Sequence, residues 1–424
     1  MEVEKDVRGA GRICNHIGGK GEIGMMLNHT VCQAGTIGTS LLNHSLDDAA
    51  PQANQVIQFS CNEESLAREL GLYCYPIRSY VISNPGDIFQ TGKELEPGLT
   101  WLQDHFSRVG ITCAKDIIFD YSFDWAKEYP QHKLSVFFFG KEAHAVRPHM
   151  DRLHATEFFN NKNNVIELAH SLGVQTAQTD MFSSVNEIDL AKYRHMQFPL
   201  AVKIANSVSG LGFEKCDSFD QLVTVVDRIA AIPTETPFQI QPFLDGSIFF
   251  SAQWWINGPL NFAPITGTQN FIEGDANHAG NWGGWKIPHQ ELFDFTHSMT
   301  EAASLFGLCD WVGFDVALHQ GQFYLMECNP RYTGAAYPYV AVQKLFGKKE
   351  ALETFWAHKN YAVNRSSIDG FHLNGLEFDP KKQEGWIVIN PGPLTVGDGK
   401  VGMLWIGEKE NYLQAEDELR SWLS

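Results

Sequence analysis

The sequence predicts a mixed α/β protein that begins with alternating strands and helices and continues with antiparallel hairpins. Strand-like apolar runs alternate with helical stretches as far as about residue 140, which is typical of a parallel sheet covered by helices. Later, Asn257-Gly258 and residues 319–321 are turn signals between pairs of strand-like runs. A chain of 424 residues is too long for one small core, so we expect several domains.

The composition excludes some classes of function. Hydrophobic residues make up 44% of the chain and aromatic residues 12%, which indicates a folded protein rather than a disordered one. The formal charge is −18, from 32 basic and 50 acidic residues, and no basic stripe is present. Nucleic acid is therefore not an expected partner, and any site for an anionic ligand must gather its positive charge locally.

The cysteines and the N-terminus predict the compartment. Eight cysteines occur without a C-x-x-C pair, which argues against a zinc knuckle or a redox dithiol and favours reduced thiols. The first residues are charged and lack the apolar segment of a signal peptide. No run approaches the roughly 18 apolar residues of a membrane span. We expect a cytoplasmic protein that does not associate with membranes.

The strand–helix alternation at residues 55–139 contains no G-x-G-x-x-G motif, so a dinucleotide-binding role has no support from it. Two glycine-rich stretches precede it, and both are interpreted as turn-rich segments, with anion binding as the alternative for the first, residues 18–21. The predicted strands are residues 56–59, 80–83, 117–119 and 134–139, and the predicted helices are residues 63–70 and 101–109.

The later part of the chain contains longer helices and one conspicuous polar segment. Residues 273–284 form a long glycine-rich polar stretch, interpreted as a lid or substrate loop with His278 and Asn281 as its polar candidates. The tail carries no chemical motif and is a candidate for covering the site or for mediating dimerisation. The predicted elements are helices at 158–172, 218–230, 292–306, 340–346, 351–358 and 411–423, and strands at 198–204, 386–390 and 403–407.

The hairpin that turns at residues 319–321 carries the strongest chemical signal. Its first strand places Asp315 opposite the second strand, where Glu327 and Asn329 point to one side because they are two residues apart. Two carboxylates and an amide oxygen on one face form an all-oxygen site that suits Mg²⁺. Arg331 adds a planar five-donor group for phosphate or carboxylate oxygens.

A second signal is a lysine in the middle of the apolar strand at residues 198–204. Lysine is almost never buried unpaired, so Lys203 requires an anion. A glycine-containing turn follows, and its backbone N–H groups are suited to phosphate oxygens. The residues of that turn with the clearest role are Ser209, Gly210 and Gly212.

These segments resemble the ATP-grasp superfamily, whose nucleotide site ends in the pattern D…E-x-N-P-R, here Asp315 and residues 327–331. The resemblance covers roughly residues 155 to 340. It implies an ATP-grasp fold with an N-terminal α/β domain and a C-terminal extension. The implied boundaries are 1–150 for the N-terminal domain, 151–245 for the small ATP-grasp subdomain, 246–345 for the large subdomain and 346–424 for the extension.

The resemblance also assigns roles to individual residues. It implies that Asp315, Glu327 and Asn329 hold Mg²⁺, with Mn²⁺ as the alternative cation, against the ATP phosphates. Lys162 matches the lysine that reaches those phosphates, although a lysine at a helix start is also common on surfaces. The segment resembling the adenine-binding linker comprises Gln241, Pro242, Phe243, Leu244 and Asp245. Gln241 and Ser247 stand where the family usually has glutamate, which leaves Asp245 as the candidate for the ribose.

The activity implied by the resemblance is an ATP-dependent ligation of a carboxylate to an amine. An amino acid or small carboxylic acid would form an acyl phosphate, and the amine would then displace phosphate, giving ADP. Lys203 and Arg331 are the catalytic candidates, and Arg331, His278 and Asn281 are the substrate candidates. Two alternatives remain open: a phosphotransferase on the same fold, and a non-catalytic ATP-binding protein.

Overall fold

The computed structural model describes residues 30–33 and 71–424, without 121–122, 131, 138, 207–211, 233–234, 275–276, 366 and 396–398. The elements predicted at 56–59 and 63–70, and the two glycine-rich N-terminal stretches, lie outside the described residues. Within the described residues, no helix combines the length and the apolar character needed to cross a bilayer.

The N-terminal part contains a four-stranded parallel sheet in the order β3-β2-β1-β4. Helix α1, Glu96–Val109, ends at Gly110, whose φ of 88° is left-handed and favours glycine. Helix α1 confirms the helix predicted at residues 101–109. The strands are β1 Thr30–Gln33, β2 Ile88–Thr91, β3 Asp116–Phe119 and β4 Lys133–Val136.

The strand predicted at residues 80–83 is wrong. Residues Gly71–Ile82 form a 3₁₀ helix, and Tyr80, Val81 and Ile82 are all buried within it. A short apolar run buried on every side has no periodicity that separates a strand from a helix. Arg78 also belongs to this helix.

Three helices lead from the N-terminal sheet into the next part of the chain. The helix predicted at residues 158–172 is two helices, because the chain breaks at Asn160 and Asn161. The Asn161 side chain caps the second helix by accepting from the N–H groups of residues 163 and 164, at 2.9 and 3.2 Å. Lys162 therefore lies in a first helical turn. The helices are α2 Lys141–Val146, α3 Met150–Phe159 and α4 Lys162–Ser171.

A small antiparallel sheet of four strands follows, in the order β5-β8-β6-β7. Helix α5, Phe219–Ala230, covers one face, and its N-cap Ser218 accepts from the Gln221 N–H at 3.3 Å. Since side chains alternate along a strand, Val202 faces this helix and Lys203 lies on the opposite, uncovered face. The strands are β5 Asp180–Phe182, β6 Leu200–Ile204, β7 Phe213–Cys216 and β8 Phe238–Pro242.

The largest sheet has eight strands in the order β13-β12-β9-β10-β11-β14-β16-β15. It begins with β9 Ile248–Gly258, β10 Asn261–Glu273 and β11 Asn277–Gly283. The predicted hairpin is confirmed as β12 Asp310–His319 and β13 Gln322–Asn329. The sheet is completed by β14 Trp356–Ala362, β15 Gly385–Asn390 and β16 Lys400–Ile406.

The lid loop predicted at residues 273–284 is wrong, since most of it is strand β11, paired with β10 on one side and β14 on the other. Its glycines serve close packing rather than loop flexibility. A Cβ atom at Gly283 would lie 2.5 Å from the ring of Trp356. The polar, glycine-rich composition therefore belongs to a strand over which an aromatic ring lies.

The tail completes the large sheet instead of forming a separate layer. The helix predicted at residues 351–358 ends at Glu353, and Trp356–Ala362 is strand β14. Because strands β14 to β16 come from the tail, the sheet runs without a break past the predicted boundary at residue 345. The four domain limits stay predictions. The remaining helices are α6 His289–Leu305, α7 Ala336–Phe346, α8 Lys348–Glu353, α9 Gly392–Thr395 and α10 Tyr412–Leu423.

One hydrophobic core joins the N-terminal part to the large sheet. It contains Leu99 and Phe106 of α1, Tyr337 of α7, and Trp356 and Leu404 of the tail strands. Burial of side chains of this size contributes about 1.5 to 3 kcal/mol each. The shared core packs the 3₁₀ helix and α7 against one face of the large sheet, to which strands β14 to β16 belong.

A buried ion cluster forms a second link between these parts. Asp310 begins β12 with a φ of 73° and is 5% exposed. Its carboxylate contacts Arg152 of α3 at 2.6 Å and also Lys133 of β4. Although burial favours the neutral acid, these two cations hold the pKa of Asp310 below its ordinary value. The start of the metal-candidate hairpin is thereby fixed to the N-terminal sheet.

We predict that Arg152→Met destabilises the protein by about 3 kcal/mol, because it leaves a buried carboxylate with only the half-exposed Lys133 as its partner. Urea unfolding followed by tryptophan fluorescence measures the change. Arg228→Met is the matched control, since it removes a more exposed ion pair with Glu214 at 3.1 Å and should cost less than about 1 kcal/mol. Equal losses of unfolding free energy in the two variants would contradict the role of Arg152 as the main partner of the buried Asp310 carboxylate.

Candidate active site

A row of polar side chains crosses one face of the large sheet, one strand after another. Side chains directly opposite on paired strands, and those two apart on one strand, share a face. The pairings Asp315↔Ser251, Ser251↔Thr268, Asn270↔Asn281 and Asn281↔His358 therefore place six polar residues side by side. We call this set the polar row: Asp315, Ser251, Thr268, Asn270, Asn281 and His358.

The predicted metal residues lie together at one end of the polar row. Glu327 is paired with Asp315 across the hairpin, and Asn329 follows on the same face. The Asn329 amide donates from Nδ2 to Asp315 Oδ2 at 2.9 Å and to Glu327 Oε1 at 3.2 Å. Its Oδ1 accepts from Arg331. The two carboxylates and the amide thus form one compact group.

Burial and mutual repulsion shift the pKa values of this carboxylate pair. Burial, and then the negative charge of Glu327, raises the pKa of Asp315 to about 8. Burial also disfavours the charged form of Glu327, but Lys162, Asp315 and Arg331 hold its pKa at about 2. Two adjacent carboxylates cannot both be ionised in such surroundings without further positive charge.

Three cationic side chains from three different elements surround the pair. Lys162 Nζ lies 3.1 Å from Glu327 Oε2, and Arg331 donates to Asn160 Oδ1 at 2.6 Å. Lys203 faces the same group from the small sheet. Its burial, opposed by the charge of Glu327, lowers its pKa to about 8. The sequence-predicted residues of the metal and phosphate sites are therefore brought together.

Asp315 and Glu327 fit a divalent cation, because a hard cation would supply the missing charge between two buried oxygen donors. Asn329 fits less directly, since it presents Nδ2 to the carboxylates and Oδ1 to Arg331. It would have to exchange the two ends of its amide to become a ligand. The described residues hold no cluster of three or more His, Cys, Asp or Glu side chains suited to a metal.

The uncovered face of the small sheet carries further polar groups. Gln241 and Gln239 lie on the same face as Lys203, because β8 pairs with β6 at Ala201↔Gln241 and Lys203↔Gln239. Gln239 is fully buried, and neither end of its amide has a hydrogen-bond partner in the described part of the chain. A buried amide without a partner indicates a place for a polar ligand.

The predicted adenine linker borders a cavity of about 320 Å³, lined by residues 243–249 and by Gln269, Asn270, Ile272 and Gly274. The Phe243 N–H donates to Pro199 O at 3.0 Å, and Ser247 Oγ donates to Leu244 O at 2.6 Å. The Leu244 N–H has no partner in the described part of the chain and is free to meet a ligand. Asp245 is exposed, and its carboxylate accepts from the Gly246 N–H at 3.0 Å.

The remaining predicted residues divide into two groups. Ser209 and Gly210 lie outside the described residues, whereas Gly212 is described and its carbonyl accepts from the Ile204 N–H at 2.9 Å. His278 and Asn281 lie on β11 rather than on a loop. His278 Nε2 is 3.0 Å from Asn281 Oδ1, and Asn281 Nδ2 donates to Asn270 Oδ1 at 2.7 Å.

Several polar residues of the site were not predicted from the sequence, among them Ser251, His358 and Arg78. Ser251 hydrogen-bonds to Asp315 and accepts from Gln253 at 2.7 Å. Arg78 is a charged residue within an apolar run, the same signal that pointed to Lys203. His358 had no usable local signal, because its strand was interpreted as a helix.

Comparison with solved structures finds similar folds at low sequence identity. The N5-carboxyaminoimidazole synthetase of Staphylococcus aureus complexed with ADP has a TM-score of 0.53 and is 11% identical, covering 79% of this chain and 90% of that one. The biotin carboxylase of Campylobacter jejuni has a TM-score of 0.54 at 10% identity, covering 92% and 90%. The L-amino acid ligase of Bacillus licheniformis has a TM-score of 0.50 at 15% identity, covering 78% and 91%.

Sequence comparison adds one curated relative, the D-alanine–D-alanine ligase of Pseudomonas putida (strain GB-1). It is 28% identical over 168 residues, which are 38% of this chain. The chain thus spans about half the length of the curated relative that it matches. No protein-family model matches the sequence.

The fold and the site define a class of protein in which two antiparallel sheets border one site. That site contains the carboxylate pair and the three cationic side chains around it. This is the ATP-grasp fold, and its recognition from the sequence is confirmed.

We predict that the Asp315–Glu327 pair binds Mn²⁺, used here as a spectroscopic probe for Mg²⁺. Glu327→Gln keeps the shape of the side chain but removes one charge, so affinity should fall by roughly tenfold or more. Electron paramagnetic resonance of free Mn²⁺ measures the binding. Glu214→Gln, on the helix-covered face of the small sheet, should leave it unchanged. Unaltered Mn²⁺ affinity in Glu327→Gln would remove the metal assignment.

Proposed function

We propose that the protein is an ATP-dependent ligase that joins a carboxylate to an amine through an acyl phosphate and releases ADP and phosphate. The observation that carries the proposal is the convergence of Lys162, Lys203 and Arg331 on the Asp315–Glu327 pair. Phosphoryl transfer depends mainly on positioning and on neutralising the charge of the phosphoryl oxygens. The names of two similar proteins, the D-alanine–D-alanine ligase and the L-amino acid ligase, support the same class of reaction.

The two lysines have distinct roles in this proposal. Lys203 binds phosphate oxygens from the small sheet, because it is a compact ammonium on the uncovered face of that sheet. Lys162 contacts Glu327 directly and so keeps that carboxylate ionised. A divalent cation at Asp315 and Glu327 would neutralise phosphate charge when bound. Together these groups compensate the charge of a triphosphate in an otherwise acidic protein.

Arg331 orients the reacting carboxylate. Its guanidinium is held by Asn160 and Asn329, and it stands beside the ring of Phe137 at 5.5 Å. A planar fork fixed on two sides binds a carboxylate in one orientation, which favours attack on the terminal phosphate. The nucleotide base is assigned to the cavity beside the linker, where the Leu244 N–H is available.

The two alternatives are weaker on specific grounds. A non-catalytic ATP-binding protein has no need for a buried carboxylate pair next to Arg331, because such a pair is costly without a cation. A phosphotransferase needs a place for only one substrate besides ATP, whereas the ligase needs places for two. The polar row, however, continues from Asp315 over Asn281 to His358, well beyond the phosphate-binding residues.

We predict that hydroxylamine, used in place of the amine, traps the acyl phosphate. With ATP, Mg²⁺ and a panel of amino acids and small carboxylic acids, hydroxamate should form in step with ADP. A phosphotransferase would give ADP and a stable phosphorylated product without hydroxamate, and a binding protein would give no turnover. Release of AMP and pyrophosphate would indicate adenylation and contradict the proposal.

We predict that ATP affinity falls as the pH rises through about 8. The pKa of Lys203 is about 8 in the free protein, and bound phosphates favour its charged form, so above this pH binding requires uptake of a proton. The loss should reach up to about tenfold per pH unit. Calorimetry with a non-hydrolysable ATP analogue measures it.

Lys203→Met should bind the analogue more weakly and show no such fall above pH 8, because the titrating group is gone. Lys192→Met is the control, since Lys192 is exposed and paired with Asp180 at 2.9 Å. It should keep the pH profile of the unaltered protein. A Lys203→Met variant with the original profile would show that another group titrates.

A further inference from the structure

A second arginine, Arg78, lies against Tyr337. Arg78 belongs to the 3₁₀ helix Gly71–Ile82 and is half-buried. Its guanidinium stacks over the Tyr337 ring at 4.4 Å and hydrogen-bonds to the Tyr337 hydroxyl. The electrostatic influence of Arg331 also reaches that hydroxyl. Two guanidinium groups therefore act on Tyr337, and the proposed reaction assigns a role only to that of Arg331.

His278 and His358 lie beside Arg78 at the far end of the polar row. A Cβ atom at Gly334, three residues after Arg331, would lie 3.2 Å from the His278 ring, so His278 borders the reaction centre on one side. Burial, and then the positive charge of Arg78, lowers the pKa of His358 to about 3. His358 is therefore neutral, and the guanidinium of Arg78 supplies the permanent positive charge here.

Two deeply buried polar groups at this end lack a partner. His358 is 6% exposed and Asn390 is 1% exposed. Neither His358 Nδ1 nor Asn390 Nδ2 has a hydrogen-bond partner in the described part of the chain. Buried polar atoms are normally paired, and an unpaired one costs about 1 to 3 kcal/mol. Both groups lie on tail strands, β14 and β15.

The absence of a side chain at Gly402 lets His358, Asn360 and Asn390 approach one another. A Cβ atom at Gly402 would lie 3.3 Å from His358 Nε2, 3.2 Å from Asn360 Oδ1 and 2.8 Å from Asn390 Cβ. Any other residue at 402 would enter the space that the three polar side chains surround. Three polar side chains, His358, Asn360 and Asn390, thus converge at the far end of the polar row.

We propose that Arg78, His278, His358 and Asn390 form an acceptor pocket that binds the free carboxylate of an amine substrate, so that the amine component is an amino acid. This inference rests on the proposed function. Arg78 forms a charge-assisted hydrogen bond to the carboxylate, and the neutral His358 and Asn390 supply further polar contacts. The tail strands are then a wall of the substrate site.

The position along the sheet assigns this pocket to the acceptor and not to the reacting carboxylate. Asn281 lies three strands from Asp315 and His358 lies four, which corresponds to about 14 and 19 Å at the usual strand spacing. The carboxylate that is phosphorylated must lie next to the phosphates, near Arg331. The amine adds to the acyl carbon, phosphate then leaves as the C–O bond breaks, and the nitrogen loses a proton. The acceptor therefore lies next to the donor carboxylate, and its own carboxylate points toward the far end of the polar row.

The test compares each proteinogenic L-amino acid with its carboxamide as the amine, using the donor that gives most hydroxamate in the trapping assay. We expect the unaltered protein to prefer the amino acid. In Arg78→Met the ratio of kcat/KM for the amino acid to that for the amide should fall by about 10- to 100-fold. Arg78→Lys should restore part of the ratio, because it keeps the charge without the planar fork.

Arg228→Met is the matched control and should leave the ratio unchanged, because Arg228 lies on α5 behind the small sheet. Calorimetric titration of the same amino acids and amides, with the non-hydrolysable ATP analogue present, gives a readout independent of turnover. Amino acids should bind more weakly to Arg78→Met than to the unaltered protein.

The failure of this inference is distinguishable from failure of the proposed function. Hydroxamate formation combined with equal use of amino acids and amides, or with an unchanged ratio in Arg78→Met, overturns the acceptor pocket alone. Absence of hydroxamate with every donor overturns the ligase. If Arg78→Met does not fold, the preference of the unaltered protein and the ratio measured for Arg78→Lys still decide the question.

Discussion

The site depends on one electrostatic constraint, the placement of two carboxylates side by side in a buried position. Asp315 and Glu327 are adjacent because the β12–β13 register pairs them, and neither can be moved without breaking the hairpin. The resulting negative charge requires cations nearby. They come from a helix start at Lys162, from the small sheet at Lys203 and from the chain after the hairpin at Arg331. The relative placement of three elements is thus tied to one pair of acids.

Much of this site could be predicted because its signals are local. A charge inside an apolar strand, as at Lys203 and Asp315, stands out from its neighbours, and the two-residue period of a strand shows that Glu327 and Asn329 share a face. Prediction of the hairpin required only a turn signal between two strand-like runs. The ATP-grasp fold could be recognised from these few residues, because their pattern is specific to that fold, whereas most of the chain carries no such pattern.

The rest could not be predicted because it depends on contacts between distant segments. Strand β11 looked like a loop, since its glycines are explained only by the ring of Trp356, more than seventy residues away in the sequence. The 3₁₀ helix that carries Arg78 had no readable period. His358 lies on the polar row only because β14 pairs with β11, and no local pattern reveals which strands become neighbours.

The proposed function requires an acidic protein with a net charge of −18 to attract anionic substrates, and the topology provides positive charge at the site. Among the described residues, Lys162 and Arg331 lie at the carboxylate pair, and Arg78 lies further along the same face of the large sheet. Local potential inside a low-dielectric cleft is governed by the nearest charges and not by the net charge. Neutral polar groups at Asn281 and His358 lie between and beside these cations. The carboxylates of the two proposed substrates, one near Arg331 and one near Arg78, therefore match the spacing of these charges.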